Sequence, residues 1–347
     1  MGRPSRRKAT MATVLAAIAA AALIAIPAAI AAFGARIQDG GNVVSAAPDF
    51  TAPAIAATVV TKSQGGATGF VHKGGTYFAY ANVAADTGNP PSGLATVKAN
   101  LGEVTAGQGE ATLTAITPVT IGGVTYNSRS AELTATAVVE GPRPYTVTAT
   151  DKAGNARTVN GSATVDNVVP TAADVQTANG GTAVGLAEER DSIAYTFSEP
   201  IEPQSILAGW NGTATNVVVR IVDNGLLGLE TGHDELLVYT AGKTAQLPFG
   251  EVDLGRGDYV TSLLGATLGG SIYFGLTGTP SSMTMSGNTV TIVFGAYNST
   301  LLLGGSHNTA AGTGTMTWSP EAVPYDRAAN VMSTAAVSES GAADKEF

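Results

Sequence analysis

The side chains able to do chemistry are few and scattered. His72, His233 and His307 share no close spacing, and no H-E-x-x-H segment occurs, so a zinc hydrolase centre is not indicated. Serine, histidine and aspartate are all present, but no G-x-S-x-G elbow presents a nucleophile. Acidic pairs such as Glu188–Glu189, or Glu199 with Glu202, read as loop charges. A glycosidase needs two acids held across a cleft, and nothing in their spacing supplies one. Gly312-Thr-Gly314 lacks the Lys-Ser/Thr of a phosphate loop. Cysteine is absent, which removes disulfides, thiolate ligands and cysteine nucleophiles. No catalytic or cofactor-binding residue is therefore assigned, and no enzymatic activity is expected. Trp318 lies on an alternating run and reads as core. Trp210, in Ala208-Gly-Trp-Asn-Gly212, reads as a lid over one end of a core, with sugar stacking as the sharper alternative.

Oxygen-bearing side chains recur in a pattern. Asp49-Phe-Thr-Ala-Pro53 and Asp166-Asn-Val-Val-Pro170 share the frame Asp-x-x-x-Pro. Proline cannot donate to a strand ladder and holds the chain extended, so the frame marks a lead-in at a domain edge. Asp151-Lys-Ala-Gly-Asn155 and Asp326-Arg-Ala-Ala-Asn330 share Asp-x-Ala-small-Asn. There the Asp can cap a turn, while Gly or Asn takes a left-handed conformation. Each reads as a hairpin near the end of a module. Ala329 stands where the first motif has Gly154, which puts the tightness of the second turn in question.

The elements that must position these residues are short strands. After Asp39 the chain is rich in Thr, Val, Gly, Asn and Ser, with alternating runs between turn clusters. In Tyr145–Asp151, Tyr145, Val147 and Ala149 should face inward and the threonines outward. Further strands are expected over 131–139, 192–197, 216–222, 235–239, 271–274, 289–294 and 313–318, with a helical turn near Glu202–Ile206. No stretch is helically periodic enough for a long helix. Segments 224–234, 241–257 and 298–312 read as long loops and as the contact surface.

The 347 residues carry 18 Lys+Arg against 27 Asp+Glu, a net charge of -9. A pI near 4.8 argues against a nucleic-acid partner. The charge is uneven. Arg3, Arg6, Arg7 and Lys8 precede an uncharged Ala/Ile/Leu-rich run that ends at Arg36. A basic head before an apolar stretch is an export signature. Either it is removed, with Val44-Ser45-Ala46 as the preferred small-x-small site and Ala29-Ile30-Ala31 as an earlier option, or residues 9–35 remain as a membrane anchor. An extracellular or cell-surface location follows in both cases, and the remainder is more acidic than -9.

The motifs Asp151–Asn155 and Asp-x-x-x-Pro resemble those of bacterial immunoglobulin-like domains of secreted and surface proteins. Asp191-Ser-Ile-Ala-Tyr-Thr-Phe-Ser-Glu-Pro-Ile-Glu-Pro203 is similar to a subgroup of surface-layer proteins with a Phe-Ser-Glu-Pro strand end. The C-terminal half resembles repeated surface modules of high-GC Gram-positive bacteria. The resemblance covers residues 49–347. It implies an all-β chain of tandem Ig-like antiparallel β-sandwiches behind an N-terminal apolar export or anchor helix. Residues 1–46 would be the signal or anchor, 47–168 the first sandwich and 169–347 a larger one. It also implies a Ca²⁺ at the module junction, where Asp49, Asp151, Asn155, Asp166 and Asn167 could supply hard oxygen ligands. Ordinary Asx-turns are the preferred reading of the same residues, since Lys152 and Arg327 interrupt the motifs and no dense acidic loop completes a shell. The expected role is a non-enzymatic spacer or interaction module, with a Ca²⁺-stabilised or glycan-binding adhesin as the alternative and a secreted hydrolase, with a polar cleft converging on one of the three histidines, as the second. The partner would be a surface protein, a glycan or another copy of the chain.

Overall fold

The computed structural model describes residues 38–39, 42–43 and 49–347, apart from 226–231, 263–269 and 301–305. The expected N-terminal helix and its cleavage sites lie outside the described residues, as do parts of the 224–234 and 298–312 loops. Among the described residues no helix is long and apolar enough to cross a membrane. A short antiparallel pair, β1 (Gln38–Asp39) with β2 (Asn42–Val43), precedes the first sandwich.

Alternation of buried and open positions builds that sandwich. Its strands are β3 (Ile55–Lys62), β4 (Phe70–Val71), β5 (Thr76–Val83), β6 (Leu94–Asn100), β7 (Ala111–Ile121), β8 (Val124–Ser130), β9 (Leu133–Thr134), β10 (Gly141–Asp151) and β11 (Ala156–Val165). In β10 Tyr145, Val147, Ala149 and Asp151 are buried and the residues between them are not, the predicted alternation. The order across the sheets is β3-β5-β8-β7 continuing into β6-β10-β11-β4, with β9 beside β5. With β3 and β4 as two halves of a first strand, this is the A-B-E-D and C-F-G order of an immunoglobulin sandwich. β7 links the two groups, because Ala111 and Thr112 pair with β6 while Leu113 onward pairs with β8. β4 runs parallel to β11. The strand expected over 131–139 shrinks to Leu133–Thr134, because Val138 and Val139 point into solvent.

No strand crosses residue 168: β11 ends at Val165, and β12 (Ala172–Ala178) belongs to a different sheet. The second half continues with β13 (Ser192–Phe197), the single turn α1 (Pro203–Ile206), β14 (Thr215–Val222), β15 (Glu235–Thr240), β16 (Glu251–Asp253), β17 (Val260–Thr261), β18 (Ser271–Phe274), β19 (Ser281–Ser286), β20 (Thr289–Val293), β21 (Tyr297–Ser299), β22 (Ser306–His307), β23 (Thr317–Ser319) and β24 (Val337–Ser338). The order is β12-β13-β20-β19-β14-β15-β16-β23-β24. The first four repeat the pattern of β3-β5-β8-β7. Beyond them the sheet departs from the first sandwich. It branches at β14, whose start pairs with β19 and whose end pairs with β18. Its two ends are linked by the backbone N–H of Ser340, which donates to Asp174 Oδ1 at 2.8 Å, and by Gln176, whose amide donates to the Ser340 carbonyl at 3.0 Å.

One core fills this sheet. Tyr195 stacks on Phe249 with centroids 4.5 Å apart, and Trp318 meets Tyr195 and Phe197 edge-on at 5.1 and 5.2 Å. Both tryptophans match their expected packing roles. Trp318 is fully buried and donates from Nε1 to the Phe249 carbonyl at 2.6 Å. Trp210 is 7% exposed, with Nε1 bonded to the Thr213 carbonyl, so its ring packs as a lid. The 241–257 segment is not an open loop. Leu247, Phe249, Val252 and Leu254 are buried and β16 lies within it, because its apolar residues are needed to fill the wide core.

By compactness the described chain divides into two units that cut through the first sandwich. Residues 49–56, 83–97 and 148–158 form one; residues 57–82, 98–147 and 159–347 form the other.

Candidate metal centres and the module junction

The two repeated motifs prove to be two halves of one device, present twice, once beside each Asp-x-x-x-Pro lead-in. In the first unit the Asp151 and Asn155 backbones close a hairpin, with Asp151 N–H donating to the Asn155 carbonyl at 3.0 Å. Asn155 N–H and side-chain amide donate to the two Asp151 oxygens, each at 2.8 Å. The same amide reaches the carbonyl of Asp49, also at 2.8 Å. In the second unit Asp326 N–H meets the Asn330 carbonyl at 3.1 Å. Asn330 N–H and amide donate to Asp326 at 2.8 Å, and the amide reaches the carbonyl of Asp166 at 2.8 Å. Each Asn thus staples its hairpin to the Asp of its own Asp-x-x-x-Pro lead-in. The hairpins also share their strained position. Gly154 has φ +94°, and Ala329 takes the same left-handed region at φ +76°. The second turn forms despite the missing glycine, with the Cβ carrying the cost. Ala329→Gly is therefore expected to raise stability by about 1 kcal/mol in denaturant titration.

A third acid completes each group. Asp86 joins Asp49 and Asp151, and Glu199 joins Asp166 and Asp326, each trio having oxygens within 4.8 Å of one another. Four of the five predicted ligands thus divide between two groups, Asp49, Asp151 and Asn155 in one and Asp166 in the other. Asn167 joins neither: its Oδ1 accepts from Lys73 N–H at 2.6 Å and its backbone N–H donates to Glu140. Asp86 was not anticipated, and Glu199, expected as a loop charge, instead joins a cluster. The available signal was position, since each follows shortly after the end of its module's second strand, at Val83 and Phe197.

The two trios differ in chemistry. In the first, all six carboxylate oxygens already accept hydrogen bonds. Asp49 takes Thr51 and Ser92 N–H, Asp86 takes Gly88 and Gly93 N–H with the Ser92 hydroxyl, and Asp151 takes both Asn155 donors. The Thr51 and Ser92 amides hold the Asp49 carboxyl below its ordinary range. These are Asx-turns filled by protein donors. In the second trio Glu199 Oε1 is buried without a partner. Burial, and then the nearby Asp166 and Asp326 charges, push its pKa up to about 7. That group is short of either a proton or a cation, and its donors fit a hard oxygen-loving ion.

Around it, residues on both sides of the expected boundary bond directly, all within the second unit. Lys62, 5% exposed, donates to the carbonyls of Ala67 and Arg327. Burial lowers its pKa, opposed by the charges of Glu202 and Asp326. Ala67 N–H donates to Glu202 Oε2 at 2.7 Å, and His72 Nδ1 lies 2.6 Å from the Ala328 carbonyl. A groove of about 560 Å³ opens here, lined by Glu202, Gln204, Trp210, Asn211, Met285 and Arg327 among others.

The histidines do not converge. His72 lies at this junction. His233 is exposed and contacts Asp253 at 2.8 Å, and His307 stacks on Tyr297 with centroids 4.8 Å apart. Elsewhere Asp234 is fully buried, and desolvation pushes its pKa up to about 8. The folded state then holds that proton more tightly than the unfolded chain does. The resulting stability is fully present below the ordinary carboxylate pKa and is lost as pH climbs towards about 8. Melting temperature should fall between about pH 5 and pH 8, and Asp234→Asn should flatten part of that fall. A slope left intact by Asp234→Asn would assign it to other groups.

No protein-family model matches the chain, and no curated protein matches it. Among solved structures, it is similar to one described as fibronectin(III)-like modules of Clostridium thermocellum CbhA. The match has 15% identity and a TM-score of 0.23, covering 54% of this chain and 88% of that one. The nearly all-β, Ig-like character rests on the strand order given above.

Proposed function

We propose that this chain is a non-enzymatic, exported cell-envelope or secreted protein whose two Ig-like sandwiches act as a spacer and interaction module. The observation that carries this reading is the repeated asparagine staple. A spacer must present its ends at a defined geometry. The segment that joins the sandwiches, Asp166–Pro170, is held by Asn330 rather than left as a free linker. The dispersed histidines favour no hydrolytic reading. The basic, then apolar N-terminus supports export, and the partner would be a surface protein, a glycan or a second copy.

The test is limited proteolysis of the full chain combined with N-terminal sequencing of the protein recovered from medium and membranes. Asn330→Ala should open 166–170 to cleavage while each half stays protected. Cleavage no faster than in the parent chain would refute the staple as the spacer's fastening. A start near Ala47 in the medium would identify a secreted form, and an intact N-terminus in membranes an anchored one. Recovery solely from the cytoplasm would overturn export.

A second reading is a cation-stiffened adhesin, favoured by the orphaned Glu199 Oε1. It expects millimolar Ca²⁺ to raise the melting temperature, and Glu199→Gln to remove the rise contributed by that trio.

A further inference from the structure

A third acidic trio lies where β24 meets β12. Glu339, Asp344 and Glu346 place carboxylate oxygens within 4.8 Å of one another. Acids alone would carry little, since exposed acidic groups are common on protein surfaces. Here the innermost member is different. Glu346 is 0% exposed, and its Oε1 has no hydrogen-bond partner. Its other oxygen accepts from the Thr177 hydroxyl at 2.6 Å, and its backbone N–H donates to the Tyr259 hydroxyl at 2.9 Å. The Thr177 bond occupies one carboxylate oxygen and the Tyr259 bond anchors the backbone, so the oxygen without a donor is the one left for the cluster.

The other two acids are positioned as well. Glu339 Oε1 accepts from Met316 N–H at 2.9 Å, and its carboxyl lies within hydrogen-bonding reach of the Glu346 carboxyl. The Asp344 carbonyl accepts from Gly314 N–H at 2.7 Å, which anchors its backbone while its side chain stays open to water. Among the described residues no Lys, Arg or His forms an ion pair with any of the three. An unpaired buried carboxylate is costly, so the group must take up a proton or a cation.

We propose that Glu339, Asp344 and Glu346 form a divalent-cation site of the calcium class that locks residues 339–347 onto β12. Three carboxylates graded from buried to exposed suit an ion that takes six to eight oxygen ligands in flexible geometry and completes its shell with water. The exposed Asp344 supplies the entrance. Mg²⁺, which demands near-ideal octahedral geometry and dehydrates reluctantly, suits this uneven set less well. Without a cation, burial and the neighbouring acids push the Glu346 pKa up to about 8, so the buried carboxyl holds a proton instead. With one, mutual repulsion becomes a clamp. The clamp would act on the seam already bridged by Thr177–Glu346 and Asp174–Ser340.

The test uses the full chain with Ca²⁺ and Mg²⁺ as probes, followed by calorimetric titration and by hydrogen exchange of residues 339–347. Ca²⁺ should slow exchange in that segment, with Mg²⁺ weaker. Asp344→Asn, at an exposed position that leaves the core intact, should weaken Ca²⁺ binding at this site by about tenfold or more. Glu346→Gln, which keeps an oxygen for Thr177, should do the same. Glu199→Gln should leave exchange of 339–347 unchanged, which separates this site from the junction trio. If about 10 mM Ca²⁺ leaves exchange of 339–347 unaltered, the proposal is wrong and the trio is a shared-proton cluster. Protection that persists unchanged in Asp344→Asn overturns it equally.

Discussion

Trp318→Ala is expected to destabilise the sheet that runs from β12 to β24 by about 3–5 kcal/mol. The indole is completely buried between Tyr195 and Phe197 and spends its N–H on the Phe249 carbonyl. Alanine removes the aromatic contacts, opens a cavity under the ring pair and leaves a buried carbonyl without its donor. Interiors are packed like crystals, so the surroundings relax only in part. Phe249 belongs to the segment that sequence pattern assigned to a loop, so the substitution also tests whether 241–257 is core. Urea unfolding followed by near-ultraviolet circular dichroism gives the readout. A loss below about 1 kcal/mol would place Trp318 outside a packed core.

Asp326→Ala should cost about 3 kcal/mol or more. Its carboxylate, 0% exposed, accepts from Ala328 N–H, Asn330 N–H and the Asn330 amide. Alanine orphans those donors and frees the amide that holds Asp166. The desolvation penalty of unpaired buried groups exceeds the net worth of the bonds themselves. Asp326→Asn keeps one acceptor oxygen and should be milder. Asp151→Ala should act comparably, because Asp151 is 2% exposed and makes the same bonds to Asn155. Paired urea titrations of the two alanine variants check both statements. A cost confined to one hairpin would show that the device is not equivalent in the two modules.

Much of the fold was legible from local pattern. The strands over 192–197 and 271–274 fall where alternation and turn residues put them, and α1 falls on Pro203–Ile206 beside the expected turn. Those features depend on neighbours along the chain. The candidate sites were legible only by half. Asp49, Asp151, Asp166 and Asp326 stand out because they repeat in frame, whereas Asp86 belongs to no motif and Glu199, in the Phe-Ser-Glu-Pro strand end, reads as a loop charge. The run 131–139 failed as a strand because propensity does not report whether Val138 and Val139 have a core to face.

By itself the sequence determined an all-β chain with two lead-ins and two Asp-x-Ala-x-Asn hairpins, since period-two burial and turn chemistry are properties of adjacent residues. Tertiary structure alone decided what the repeated acids do. An asparagine amide bonds to a carbonyl 106 residues away in one module and 164 in the other. Closure of the sheets sets those distances. Closure also decides which carboxylates find donors: the first trio is filled by backbone amides, the Asn155 side chain and the Ser92 hydroxyl, while Glu199 and Glu346 keep a buried oxygen without one. A carboxylate's solvation depends on what the fold brings against it, and that is not written in the residues beside it.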